Sequence, residues 1–393
     1  MLREFAINIY LFLFRIIFSF FKLFPQEEKT VFVSSFGDNI YHVANEVNQL
    51  TDHKLVVLKD SRCRKDFSTI NNIQTLQFHV FQVIDYIRSI YHLATSKVIF
   101  IDNYFGFLSV TSFKPNVSCV QLWHAAGAIK QFGLMDPSNA TRSDRANRRF
   151  QKVYDRFSYV VVGSEKMATI FRKSFNLSED QILRTGIPRT DSFFNRYHLK
   201  QIEENSKNEF PSLQGRKIIL YAPTFRYDEL HQVNLQLDIE KLYHTLGDNY
   251  VLLLRLHPAI QGKFENSYPN FVIDVSNYEN INHLLVITDI LITDYSSIPF
   301  EFSLLEKPMI FFTYDLESYT VKQGFWEDYE RNLPGPIAHT TDEIVSLIET
   351  NKFNFNLIRN YAKQWNQYSS GKASTNIVHF IYNESEANVA EAF

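Results

Sequence analysis

From Phe5 to Phe24 the chain is almost continuously apolar, and Pro25 closes the run. About 20 apolar residues suffice to cross a bilayer. Asn8, Arg15, Ser19 and Lys22 interrupt the run, and Glu4 extends the same row. At about 100° per residue these polar positions fall on one narrow stripe of a helix. A spanning helix has no reason to align its polar residues. A helix lying in the membrane interface does, because the stripe turns to water or headgroups while the rest sinks in. The pattern therefore predicts an interfacial anchoring helix over residues 1–25. A bilayer span and a helix packed on the protein's own surface are the alternatives. A signal peptide is disfavoured, since Arg15 sits mid-run and no small-residue cleavage site follows.

Beyond Pro25 the pattern becomes one of short apolar runs bounded by Gly, Asp or Asn. Thr30–Gly37, His53–Asp60, Ser96–Asn103, Val117–Ala125 and Tyr159–Glu165 read as strands, with helical patterns between them. Such runs suggest parallel strands covered on both faces. Lys200–Pro211 is polar and reads as a linker. A second series follows: Lys217–Pro223, Tyr250–Pro258, Phe271–Val275, Asp289–Ser297 and Pro308–Asp315. Two βα series joined by a linker predict an α/β protein of two doubly wound domains facing each other, over residues 26–205 and 206–393. Ligands in such folds sit beyond the carboxyl ends of the strands.

Composition narrows the function. The chain has 393 residues, 45% hydrophobic and 21% charged, so two large cores are within reach and wholesale disorder is excluded. Its formal net charge of −3 argues against a general nucleic-acid binder, which would carry a basic excess. Cys63 and Cys119 are the 2 cysteines and form no CxxC, which disfavours a disulfide framework and a cysteine zinc site.

Candidate chemistry lies at the strand ends. His124, in Trp123–Gly127, ends one strand of the first series, and His257, in Arg255–Pro258, ends one of the second. A lone histidine there is more often structural; two, one per series, make proton transfer near neutral pH an equal reading. In the segment from Asp289, the residues Asp294, Ser296 and Ser297 read as helix-start residues before the helical pattern Phe300–Leu305. A serine pair at a helix N-terminus offers hydroxyls, free N–H groups and the positive dipole end to a phosphate, or it is ordinary capping. Glu301, one turn on, is placed to accept from ribose hydroxyls or is a solvated helix residue. Arg189 and Arg226 stand at turns and suit phosphate, although each has a structural alternative, Asp191 being the obvious partner for Arg189. Thr141–Phe157 reads as a basic helix, with Arg145, Arg148, Arg149 and Lys152 among its cations. Its cationic face is either solvated or meets anionic headgroups or an acceptor's diphosphate.

Taken together, WHAAGAIKQFG, TGIPRTDSFF, YAPTFR, LRLHP, TDYSSIPFEFSLLEKPMIFFTYD and GFWEDYERNLPGPI resemble, in order, the CDP-glycerol glycerophosphotransferase family, bacterial enzymes that prime and extend wall teichoic acid. The resemblance runs from about Thr30 to Asn376. It implies a GT-B architecture of two Rossmann-like domains facing a cleft, docked on the inner face of the membrane. It aligns His124 with the general base and His257 with a second essential histidine near the pyrophosphate. Trp123, Ala125, Ala126, Gly127, Arg189, Pro223, Thr224, Arg255 and Leu256 align with CDP-glycerol contacts. Ser296 and Ser297 align with the pyrophosphate pair, and Glu301 with a nucleotide contact.

The implied reaction is transfer of glycerol phosphate from CDP-glycerol to a hydroxyl of a lipid-linked glycan or glycerol phosphate, with release of CMP. Neither a metal nor a cofactor is expected. Polymerising members often carry Gly-Thr-Pro where this chain has Ala125-Ala126-Gly127, a departure that bears on acceptor choice and the number of units added. The long polymerases carry a large extra N-terminal region that this chain lacks, which favours a primase or short-chain member. A CDP-ribitol transferase, a nucleotide-sugar glycosyltransferase of the same architecture and a non-catalytic nucleotide or glycan binder are the competing readings.

Overall fold

A computed structural model describes residues 2–213, 215–226 and 233–390. The apolar runs form two parallel sheets. The first comprises β1 (Lys29–Ser34), β2 (Lys54–Lys59), β3 (Ile73–Gln77), β4 (Val98–Ile101), β5 (Ser118–Gln121), β6 (Tyr159–Val161) and β7 (Ile182–Leu183) in the order β3-β2-β1-β4-β5-β6-β7. The second comprises β8 (Lys217–Ala222), β9 (Tyr250–Leu254), β10 (Val272–Asp274), β11 (Ile290–Thr293), β12 (Met309–Phe312) and β13 (Ile337–Ala338) in the order β10-β9-β8-β11-β12-β13. All ten expected strands are present. β3, β7 and β13 were not legible: the first is polar on its exposed positions, and the other two have 2 residues each.

Both sheets are covered on both faces, which is why their strands carry no polar alternation. In the second sheet Leu220, Leu253, Leu291 and Phe311 enter one core, while Ile219, Leu252, Ile292 and Ile310 enter the other. Strand order reverses between β1 and β4 and between β8 and β11, so each sheet has one switch point.

The chain divides into two units. One comprises Met1–Ala126, Phe132–Asp191 and Gln367–Phe393; the other comprises Gly127–Gln131 and Ser192–Asn366. This differs from a linear boundary at residue 205. The last helix, Ala373–Ala390, returns to the first unit. There the Asp191 carboxylate accepts from the N–H groups of Ala373 and Ser374, both at 2.9 Å, and Tyr382 and Thr30 share a hydroxyl hydrogen bond of 2.5 Å. Nor is Lys200–Pro211 a linker. It falls mostly within the helix Arg196–Glu209, capped by Asn195, whose side chain accepts from the N–H of His198. This helix is polar because, among its described residues, the apolar side chains that turn to the core are Leu199 and Ile202.

The N-terminal helix, Leu2–Phe21, has three faces rather than two. Phe14 and Phe18, 1% and 2% exposed, pack on the first unit, where Phe14 stacks on Phe107 and Phe18 meets Phe113 edge-on. Phe12, Leu13, Ile16 and Phe20, 51–62% exposed, form an open apolar face. The polar stripe borders the packed face: Glu4 accepts two hydrogen bonds from Arg149, at 3.0 and 3.2 Å, and Lys22 donates to Ser112.

Candidate active site

In the first unit the site grows from the turn after β5. Trp123 adopts φ 59°, a left-handed conformation that costs a bulky residue on the order of 1–3 kcal/mol. Hydrogen bonds over-determine it. The Trp123 N–H donates to the Gln121 side chain at 2.8 Å, and the Asn39 amide donates to the carbonyls of Leu122 and Trp123 at 3.0 and 2.8 Å. The indole sits against Phe132 and Phe171. The turn presents His124, stacked on Phe36 at 4.2 Å, with Ala125 and Ala126 buried behind it.

His124 Nδ1 lies 3.3 Å from the Asp102 carbonyl. A carbonyl only accepts, so Nδ1 carries the proton and Nε2 the lone pair. Burial lowers the His124 pKa to about 4, and the positive charges of Arg189 and Arg62 reinforce the shift. The imidazole is therefore a neutral base near neutral pH. Asp102, beyond β4, supports this arrangement. Its buried carboxylate accepts from Ser34 Oγ and from the N–H groups of Ser35, Phe36 and Gly37 at 2.8–3.0 Å. These bonds shape the loop that carries Phe36.

Arg189 joins the same network. It donates from Nη1 to the His124 carbonyl at 3.0 Å and pairs with Asp38 at 3.5 Å, while its N–H donates to Asn39 Oδ1. Asp191, the partner expected from sequence, is occupied by Ala373 and Ser374 instead. Among the basic residues, Arg149 is engaged by Glu4, whereas Arg145, Arg148 and Lys152 are exposed along the helix Asp144–Tyr154.

In the second unit the site surrounds the β8/β11 switch point. Asp294, buried at the end of β11, accepts from Thr224 N and Oγ1 at 2.8 and 2.9 Å and from Arg226 at 3.1 Å. Arg226 also pairs through two nitrogens with Asp315, at 2.7 and 2.9 Å. Asp294 is thus a strut between β8 and β11 rather than a helix cap, and Arg226 is absorbed by carboxylates. Ser296 Oγ accepts from the N–H of Ile298 at 3.1 Å, and Ser297 occupies the N-cap position of the short helix Ile298–Phe302 without a side-chain cap bond. The expected helix to Leu305 breaks into a tighter turn over Ser303–Leu305. Glu301 is 2% exposed, which rules out a solvated helix residue.

His257 follows β9 and stacks near Phe225, with ring centres 4.5 Å apart. Its Nδ1 accepts from the N–H of Ala259 at 3.1 Å, so Nε2 bears the proton. Desolvation, then Lys130 and Arg255, lowers its pKa to about 4. The residue is exposed overall, so the two cations are the firmer cause. Arg255 itself donates to the carbonyls of Val275 and Tyr278, and Leu256 packs in the core. Gly127 belongs to this unit, where a Cβ would meet the Phe300 ring at 2.7 Å. Pro223 leads from β8 into Thr224. Among the described residues no three His, Cys, Asp or Glu side chains gather as a metal would require.

Sequence reasoning missed Asn39, Asp102 and Lys130. Asp102 follows an apolar strand and Lys130 lies within a quoted motif, so both had a positional signal; Asn39 had none.

Comparison with known proteins shows which family and fold the chain resembles. A family model described as CDP-Glycerol:Poly(glycerophosphate) glycerophosphotransferase matches residues 16–383. The chain is 38% identical over 384 residues to a teichoic acid glycerol-phosphate primase of Bacillus subtilis (strain 168), covering 97% of this chain and 99% of that one. It is 34% identical over 387 residues to a teichoic acid poly(ribitol-phosphate) polymerase of Bacillus spizizenii, covering 92% of this chain and 61% of the relative. The solved structure of the wall teichoic acid polymerase TagF matches with a TM-score of 0.81 at 24% identity, covering 99% of each chain. That likeness speaks for a GT-B-like α/β fold.

Proposed function

Because the chain belongs to the CDP-glycerol:poly(glycerophosphate) glycerophosphotransferase family, we propose that it acts as a primase. In this reading it transfers glycerol phosphate from CDP-glycerol to a hydroxyl of a lipid-linked teichoic acid precursor at the cytoplasmic face of the bacterial membrane. The observation that carries the chemistry is the opposite tautomers of two neutral histidines. His124 Nε2 has a lone pair and takes the proton of the acceptor hydroxyl. The hydroxyl oxygen forms a bond to the β-phosphorus of CDP-glycerol. The bond from that phosphorus to the bridging oxygen breaks, and CMP leaves with the electron pair. His257 Nε2–H donates to a phosphoryl oxygen. The leaving phosphate needs little protonation, so the remaining demand is positioning and charge neutralisation.

In the second unit Ser296 and Ser297 are the donor-binding hydroxyls, with Pro223, Thr224, Gly127, Arg255 and Leu256 shaping the turns around them and Glu301 contacting the nucleotide. In the first, Trp123, Ala125, Ala126 and Arg189 hold His124 in place. The open face of Phe12, Leu13, Ile16 and Phe20 supports peripheral attachment to the inner leaflet. Exposed Arg145, Arg148 and Lys152 suit anionic headgroups or the acceptor's diphosphate.

The test is CMP release by the purified protein from CDP-glycerol, CDP-ribitol and nucleotide sugars, each with a membrane acceptor. Acceptor-dependent CMP from CDP-glycerol is expected. A ribitol-phosphate relative at 34% identity keeps CDP-ribitol as the second reading; CMP from CDP-ribitol alone would establish it, and nucleoside diphosphate from a nucleotide sugar would replace both.

A further inference from the structure

Lys130 is assigned no part in the reading above, yet its position is built with care. Residues Gly127–Gln131 leave the first unit and join the second. There they pair with the segment around Phe325: Lys130 and Phe325 form an antiparallel bridge, Gln131 N–H donates to the Gly324 carbonyl at 3.1 Å, and Trp326 N–H donates to the Ile129 carbonyl at 3.2 Å. This single bridge sets the Lys130 ammonium 5.1 Å from the centre of the Tyr319 ring. Tyr319 in turn stacks on Tyr295 at 3.9 Å, one residue before Ser296.

The surroundings of that ammonium are informative. Asp294 attracts it, Arg226 repels it, and it in turn disfavours the charged form of His257. Partial burial, reinforced by Arg226 and only partly opposed by Asp294, lowers its pKa to about 8. Among the described residues no carboxylate, carbonyl or hydroxyl accepts a hydrogen bond from it; the aromatic face of Tyr319 is its contact. An ammonium has three donors and is strongly hydrated, so holding it partly desolvated without an acceptor is unfavourable. A structural lysine would close on Asp294. Here Thr224 and Arg226 already occupy that carboxylate. The rest of the cluster holds two carboxyl groups, Asp294 and Asp315, against the one guanidinium of Arg226. On its own that balance repels phosphate.

We infer that Lys130 is a phosphate-binding residue of the second unit, its ammonium donating to the diphosphate of the nucleotide donor beside Ser296 and His257. The inference rests on the reading that this unit binds a nucleoside diphosphate derivative. It accounts for a lysine held in the second unit by a β-bridge six residues after His124. It also completes the charge balance around the switch point.

The experiment is calorimetric titration of the full chain with CDP-glycerol from pH 6.5 to 9.5, for wild type, Lys130→Gln and Lys130→Arg, with UDP-glucose as a second probe. Both phosphoryl groups of CDP-glycerol keep one negative charge each over this range. Loss of a charge-assisted hydrogen bond predicts Kd raised on the order of ten- to a hundredfold in Lys130→Gln, with most affinity kept in Lys130→Arg. Wild-type affinity should fall as pH rises through about 8, where the free ammonium deprotonates. That fall should vanish in both variants, which a packing role for Lys130 would not produce. A pH-independent wild-type Kd, or equal Kd in Lys130→Gln, overturns the inference and leaves the donor reading standing. Lysine-dependent binding of UDP-glucose but not CDP-glycerol overturns the donor reading and leaves the inference standing. Failure of the wild type to bind either overturns both.

Discussion

Arg189 donates to the main-chain carbonyl of His124 at 3.0 Å, and its own N–H donates to Asn39, whose amide holds the Leu122 and Trp123 carbonyls just before that histidine. The guanidinium thus bonds to the backbone of the candidate base. Asn39 is the keystone, since it is buried and fills three hydrogen-bonding roles between the turn and Arg189. Asn39→Ala leaves those partners unmet, at about 1–3 kcal/mol for a buried unsatisfied group. A lower denaturant midpoint and slower transfer at saturating donor are expected, with donor Kd little changed.

The two histidines should respond differently to the same substitution. Glutamine can donate from its amide but cannot serve as a base. His257→Gln is expected to retain more transfer than His257→Ala, whereas His124→Gln should match His124→Ala, both down roughly 10²–10⁴-fold. Equal loss for the two glutamine variants in a CMP-release assay would contradict the tautomers read from Asp102 and Ala259.

Acid dependence follows from the sign of the His124 shift. Its folded pKa is depressed to about 4, so the base is free at neutral pH. kcat/KM should be flat from neutrality to about pH 5 and fall only as pH drops through about 4. The same sign bears on stability: the unfolded chain, with His near 6.5, binds the extra proton first. Stability is therefore greatest above about 6.5 and declines as pH falls towards 4, with buried His92, also depressed to about 4, adding to the slope. His92→Phe should flatten the pH dependence of the unfolding midpoint in that window.

Ser296 and Ser297 separate capping from binding. Ser296 already accepts from Ile298, so Ser296→Ala costs a cap of about 1 kcal/mol as well as any ligand contact. Ser297 makes no side-chain cap bond. Ser297→Ala should therefore leave the unfolding midpoint unchanged while weakening CDP-glycerol binding roughly tenfold or more by calorimetry.

Two faces of one helix provide the last contrast. Phe14→Ala or Phe18→Ala should destabilise the first unit by about 3–5 kcal/mol, because both rings are buried in its core. Phe12→Ser with Ile16→Ser should alter stability by less than about 0.5 kcal/mol. The double variant is instead expected to lose binding to anionic lipid vesicles in a flotation assay. Undiminished flotation would remove this face from membrane attachment.

The sequence by itself determined the two βα series and the strand ends that carry His124, His257 and the serine pair. Strands buried on both faces must be unbroken apolar runs, and that signal is local. It also determined the amphipathic stripe, since helical spacing alone places Asn8, Arg15 and Lys22 on one line. Everything that depends on which distant residues meet was decided by the tertiary structure. Arg189 passes over Asp191, because the returning C-terminal helix claims that carboxylate through Ala373 and Ser374. Arg226 is absorbed by Asp294 and Asp315, which sequence leaves 68 and 89 positions away. A polar helix at Arg196–Glu209 reads as a linker because a narrow apolar stripe carries little periodic signal. Tautomers, too, are set by a single acceptor or donor beside each ring. Hydrophobic period reports how a segment meets the core, but charge pairing and proton placement depend on neighbours that only the folded chain supplies.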